Sequence, residues 1–174
     1  MHIFLQGRRG VGKSTVIRKT LDLLIGELPL TLGGFFSRHG GKADPVVYMR
    51  PADMNGVGVE FRVAGWDEQK AGMVSDIDAF DREGTLLLRK RPGVDLIIMD
   101  ELGYLESCAD LFKQAVFDTL AGDIPVFGVL RLGDVPWHAS IKSNPLVSIY
   151  DVNEENRDSL PAELASCVKQ AVRL

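Results

Sequence analysis

Cysteine is scarce in this chain, with only Cys108 and Cys167 among 174 residues. They show no CxxC spacing and no neighbouring histidine pair, which argues against a metal site built on thiolates. Both fall at apolar positions of predicted helices, where buried reduced thiols are expected. Surplus positive charge is missing as well: 20 Lys and Arg stand against 24 Asp and Glu, a net charge of −4. Non-specific nucleic-acid binding needs a basic face, so no nucleic-acid partner is expected. No apolar run approaches a membrane span, and MHIFLQG is too short for a signal sequence. A monomer in a reducing cytoplasm is the expectation. Repeats, low-complexity stretches and interdomain linkers are absent too, so residues 1–174 read as one domain with an ordinary 45% hydrophobic content.

What is present is an alternation of two periods. His2 to Gln6 is a short apolar run suited to a buried strand. From Lys13 the pattern turns helical, with Val16, Ile17, Leu21, Leu24 and Ile25 at three- and four-residue steps and Gly26 as the stop. Val57, Val59, Phe61 and Val63 then alternate with polar residues, and Val46 to Met49 precede them across a PADMNG turn. This predicts an antiparallel hairpin inserted at about residues 33–66. A second helix is predicted from Asp76 to about Lys90, with Ser75 and Asp78 as a capping box and Arg89 to Arg91 as its solvated basic end. Leu96 to Met99 and Ile124 to Leu130 read as strands covered on both faces, and Val147 to Val152 as a further strand. Between the first two lies a third helix, with Cys108, Leu111, Phe112, Ala115, Val116 and Leu120 on one face and Ser107 as cap. A last helix begins near Pro161. Strands alternating with helices predict an α/β fold, a mainly parallel sheet with helices on both sides.

Between the first strand and the first helix stands GRRGVGKST: Gly7, Arg8, Arg9, Gly10, Val11, Gly12, Lys13, Ser14, Thr15. Glycine at the first and sixth positions, then lysine and a hydroxyl, is the P-loop pattern, and strand and helix supply its context. Glycines let backbone N–H groups turn inward around a phosphate, and the helix N-terminus adds partial positive charge there. Lys13 is placed to reach the β- and γ-phosphates and Ser14 to ligate Mg²⁺.

A P-loop alone does not separate hydrolase from kinase. Asp100 and Glu101 follow an apolar strand, at the sheet edge where open α/β folds place ligands. Asp100 fits the carboxylate that holds the Mg²⁺ shell with Ser14, and Glu101 fits a group that orients or deprotonates the attacking water. Lys13 and Glu101 are the candidate catalytic residues.

Taken together, these motifs resemble the small stand-alone P-loop nucleoside-triphosphatases, the family of the cancer-related nucleoside-triphosphatase. GVGKST matches its opening, and GGFFS (Gly33 to Ser37) its glycine-aromatic-aromatic-hydroxyl segment. DELGYLE (Asp100 to Glu106) resembles its DEIGKME signature, and VNEENRDSLP (Val152 to Pro161) its ending. The resemblance implies a RecA-like fold with an inserted hairpin. It also implies slow Mg²⁺-dependent hydrolysis of ATP, GTP and other NTPs, and a nucleotide beside Asn156 and Arg157. Arg8 and Arg9 stand where members often carry Pro-Pro, and Ser37-Arg38-His39-Gly40 replaces an acidic-then-basic run.

Three readings compete: an NTP hydrolase, a small-molecule kinase with Glu101 as base, and a nucleotide-dependent switch. No arginine-rich lid stretch lies between the third helix and the C-terminus, which disfavours the kinase. Arg8, Arg9, Arg38 and Arg131 are rival sources of charge for the γ-phosphate. Asn156 and Arg157 either flank base and ribose or are a capping asparagine and a surface arginine. His2, His39 and His138 lack metal-ligand spacing, and Trp66 and Trp137 read as packing residues.

Overall fold

The computed structural model describes residues 1–41, 45–53 and 59–172. One eight-stranded sheet runs through it, in the order β5-β4-β3-β2-β6-β7-β1-β8. Strands β2 (Leu32–His39), β6 (Leu96–Leu102), β7 (Val126–Leu130), β1 (His2–Gln6) and β8 (Val147–Asp151) are mutually parallel neighbours. Strands β3 (Val46–Pro51), β4 (Phe61–Asp67) and β5 (Gly72–Ser75) continue the same sheet antiparallel from β2. The expected hairpin is therefore β3–β4, and it extends the sheet through β2. Of its predicted residues, Val57, Gly58 and the turn residues 54–56 lie outside the described residues, while Val59 is exposed and precedes β4.

Strand alternation divides the core in two. Phe4, Ile97, Met99, Val126 and Leu130 face one side, beneath α4 (Asp110–Leu120) and α5 (His138–Lys142). Ile3, Leu5, Leu96, Ile98, Phe127 and Val129 face the other, beneath α1 (Lys13–Ile25) and α6 (Leu160–Ala171). Strands β1, β6 and β7 are apolar at successive positions because both their faces are covered. No helix among the described residues is long and apolar enough to cross a membrane.

The predicted second helix is a helical stretch in three parts: α2 (Ile77–Ala79), a π turn (Phe80–Gly84) and α3 (Thr85–Leu88). Its cap differs from expectation. Ser75 ends β5, and the Asp76 carboxylate accepts the Ala79 N–H at 3.0 Å. Arg89 to Arg91 are exposed, as a solvated helix end should be.

The third helix also needs correction. Ser107 does not cap α4; the Asp81 carboxylate from the π turn accepts the Phe112 N–H at 2.9 Å. The buried face is Phe112, Val116 and Leu120, whereas Leu111 is 64% exposed. Cys108 precedes the helix and is exposed, whereas Cys167 is half-buried and packs against the core beneath α1 and α6. Cys108 lies two residues before the helix begins, so no helical stripe positions it, and Leu111 falls beside the stripe of Phe112, Val116 and Leu120. α5 escaped the sequence reading because five residues carry too little periodicity.

Phe112 is fully buried, with ring centroids 5.8 Å from Phe35 and 5.4 Å from Phe80. Phe112→Ala should destabilise by about 3–5 kcal/mol through lost packing and a cavity. Leu111→Ala and Cys108→Ser should each stay within about 0.5 kcal/mol, as exposed positions do. Urea midpoints measure all three, and a costly Leu111→Ala would mean that the helix presents its other face.

Candidate functional site

The P-loop leaves β1 at Gly7 and enters α1 at Lys13. At Gly7 any side chain is excluded, because a Cβ would stand 2.4 Å from the Val152 carbonyl oxygen. The Lys13 ammonium is buried, donating to the Gly7 carbonyl at 3.0 Å and to the Arg8 carbonyl at 3.2 Å. Ser14 Oγ donates to Asp100 Oδ1 at 3.0 Å, joining loop to β6.

Strict alternation along β6 would send Asp100 and Glu101 to opposite faces. Between Met99 and Leu102, however, β6 advances three residues while β7 advances two. This extra residue re-aims the strand, as bulges do. Both carboxylates line one cavity of about 430 Å³, with Lys13, Ser14, Thr15 and Arg131. Glu101 lies between two cations: Lys13 Nζ is 3.9 Å from Oε2 and Arg131 Nη1 is 3.9 Å from Oε1. Burial raises the Asp100 carboxyl to about 6, aided by the neighbouring Glu101 charge and opposed by the Ser14 hydrogen bond.

Next to this cavity lies a second of about 660 Å³, sharing the wall residues Gly7, Arg9, Gly10 and Leu132. Arg8, Val11 and Arg157 line only this one, so Arg8 does not face the carboxylates. Arg157 Nη1 also approaches the Val11 carbonyl at 3.5 Å. Asn156 lines neither: its amide donates to the Asp151 carbonyl at 2.7 Å and accepts the Asn153 N–H at 2.9 Å. The sequence left Asn156 open between base contact and backbone cap, and the hydrogen bonds make it a brace of its own loop. Arg38 is engaged on the hairpin, with Nε 3.1 Å from Glu60 Oε1, Nη2 2.7 Å from Oε2, and the guanidinium over the Tyr48 ring.

The family model described as NTPase matches residues 2–165. The chain belongs to that family. It is 29% identical to the cancer-related nucleoside-triphosphatase of Homo sapiens, over 98% of this chain and 97% of the relative. To the nucleoside-triphosphatase THEP1 of Methanosarcina barkeri it is 30% identical, covering 95% and 96%. The fold matches the crystal structure of THEP1 from Aquifex aeolicus with a TM-score of 0.79 at 20% identity, over 97% of this chain and 99% of that one.

Sequence reasoning missed how this NTPase site is braced. The Glu101 N–H donates to Ser37 Oγ at 3.2 Å, and the Gly103 N–H to Glu106 Oε2 at 2.9 Å. Trp137 Nε1 donates to the Gly103 carbonyl at 3.0 Å, and the Arg131 N–H to the Leu102 carbonyl at 2.8 Å. Ser37, Glu106 and Trp137 were visible only as members of motifs or as packing residues. Their partners are 64, 3 and 34 residues away, and the two long separations leave no periodic signal. His39 lacks ligand spacing in the sequence, yet it lines the cavity that holds Asp100 and Glu101. Desolvation at the cavity wall lowers its imidazole, Glu101 raises it, and Arg9 and Arg131 lower it.

Oxygen donors suit Mg²⁺, which binds through one or two protein groups plus phosphates and waters. The convergent Ser14 hydroxyl and Asp100 carboxylate form such a pair. Among the described residues no cluster of three or more His, Cys, Asp or Glu could hold a metal ion.

Glu106 is fully enclosed, and burial raises its carboxyl from 4.5 to about 7. Folding therefore favours its protonated form: the stability it contributes is complete below the unfolded value and is lost as pH rises through about 7. Buried His2 and His138, lowered from 6.5 to about 4, act oppositely and cost stability as pH falls across that window. Glu106→Gln, which can still accept the Gly103 N–H, removes one of these slopes. Its urea midpoint relative to the parent should climb between pH 4.5 and 7 and then level off. A difference that stays flat across that range would mean that Glu106 is ionised in the fold.

Proposed function

We propose that this chain is a Mg²⁺-dependent nucleoside-triphosphatase that converts NTP to NDP and phosphate, with Glu101 orienting the attacking water. The observation that carries this reading is the placement of both β6 carboxylates on the wall of the P-loop cavity. Backbone N–H groups of the glycine loop and of the first turn of α1, with the Lys13 ammonium, would bind the triphosphate, and Ser14 and Asp100 would hold the cation. Mg²⁺, when bound, neutralises charge on the β- and γ-phosphate oxygens. Glu101 accepts a hydrogen bond from the water and aligns it with the γ-phosphorus. A water oxygen–phosphorus bond forms as the bond to the bridging oxygen breaks, that electron pair leaves with NDP, and the water's proton passes by way of Glu101 to solvent.

The second cavity takes the nucleoside in this reading. Leu132 and the guanidinium of Arg157 offer stacking surfaces that every base satisfies, which supports acceptance of ATP, GTP and other NTPs. The relatives' names point the same way, toward nucleoside triphosphates as substrates. An exposed free Cys108 suits a reducing compartment.

Phosphate release from ATP, GTP, CTP and UTP, with Mg²⁺ or EDTA and without any acceptor, tests the proposal. Release is expected from all four within one order of magnitude, and only with Mg²⁺. Lys13→Ala should lose nucleotide binding. Glu101→Gln should bind a fluorescent NTP analogue as the parent does but hydrolyse about 10²- to 10³-fold more slowly. A Glu101→Gln variant with full turnover would assign the water to another group, and an acceptor requirement would make the protein a kinase.

A further inference from the structure

The P-loop lysine serves the β- and γ-phosphates, but phosphoryl transfer also gathers charge on the three γ-oxygens, and many P-loop enzymes answer it with an arginine. Of the arginines in this chain, Arg9 and Arg131 line the phosphate-side cavity. Arg9 is exposed on the glycine loop, on the wall shared by the two cavities. Arg131 is held in place along its whole length.

That hold begins at the backbone. Buried β7 ends at Leu130, and the Arg131 N–H is tied to the Leu102 carbonyl at 2.8 Å. The aliphatic stem then lies on Gly103, where an added Cβ would come within 3.2 Å of Arg131 Cδ. Finally the guanidinium carbon sits over the Tyr104 ring, 4.5 Å from its centroid. The ring supplies no oxygen acceptor, so the donor edge of the guanidinium stays available. Among the described residues that edge makes no hydrogen bond, because Glu101 at 3.9 Å is too distant for one. The enclosed Glu106 does not clamp it either, being bonded to the Gly103 N–H.

We propose that Arg131 is the catalytic arginine of this enzyme, supplied by the same chain and pre-positioned on Tyr104 to donate its in-plane N–H groups to the γ-phosphoryl oxygens in the transition state. The inference rests on the hydrolase reading above and deepens it. Tyr104 is the positioning residue: it keeps the guanidinium at the cavity wall beside Glu101, so the groups for charge and for water arrive on adjacent strand ends. Such an enzyme needs no partner protein to complete its site.

The test compares Arg131→Ala, Arg131→Lys, Tyr104→Leu and Tyr104→Phe with the parent. Arg131→Ala should lower kcat about 10³-fold, the scale of a catalytic arginine, with KM and affinity for a non-hydrolysable analogue little changed. Lysine lacks the planar fork and should recover less than a tenth of the lost rate. Tyr104→Leu should lower kcat about 2- to 5-fold, the worth of one exposed cation–π contact, and Tyr104→Phe should recover most of that. A second readout is independent of turnover: with Mg²⁺ and aluminium fluoride, which mimic the transferring phosphoryl group, the parent should retain fluorescent NDP and Arg131→Ala should not. An Arg131→Ala enzyme that keeps its kcat, or still traps NDP with aluminium fluoride, overturns the assignment. A parent that releases no phosphate from any NTP overturns the hydrolase reading itself, and this assignment with it.

Discussion

The hydrogen bond from Ser14 to Asp100, 3.0 Å long, joins the two halves of the site. One partner opens the helix behind the P-loop and the other sits near the end of β6, 86 residues away. Neither half has a chemical meaning alone: a glycine loop without the carboxylate grips phosphate but has nowhere to place a cation. The sheet order makes the meeting possible, since β7 alone separates β1 from β6 and all three run parallel. Their carboxyl ends therefore open on the same edge, and the loop after β1 arrives level with the acids on β6.

The turn after Asp100 is built with little slack. Backbone groups of Glu101, Leu102 and Gly103 are taken up by Ser37, Arg131, Glu106 and Trp137, which come from β2, the end of β7, the turn itself and the segment before α5. In the proposed reaction Glu101 acts through position, where an ångström of drift costs rate steeply. The brace also explains the shape of the sheet. β2 is parallel to β6 and antiparallel to β3, so the strand that supports Glu101 through Ser37 also carries the hairpin. What reads along the sequence as an insertion is in space an extension of the wall behind the active carboxylates.

Much of this was legible in advance, for identifiable reasons. His2 to Gln6 and the helix from Lys13 were placed to the residue, because a continuous apolar run and a strong 3.6-residue stripe flank an unambiguous motif. Asp100 and Glu101 were found because they follow an apolar run at the sheet edge where open α/β folds place ligands, in a chain that also carries a P-loop; β6 runs on through both of them to Leu102. The α4 cap was misplaced since the group that supplies it, Asp81, belongs to another element. The face of α4 was partly misread because leucine and cysteine are apolar wherever they point, and Leu111 points outward. The arginines were the hardest to rank. Arg8, Arg9, Arg38 and Arg131 are alike as letters, and only Glu60, Tyr104 and the cavity walls tell them apart.

Lys13, folded back on the Gly7 and Arg8 carbonyls, has one last consequence. Its charge is already solvated by the loop it belongs to, so the cradle is stable while it waits. In the proposed reaction an arriving phosphate exchanges one set of oxygen acceptors for another at the same ammonium. On that reading, the two carbonyl contacts hold the curve of the loop ready for a substrate.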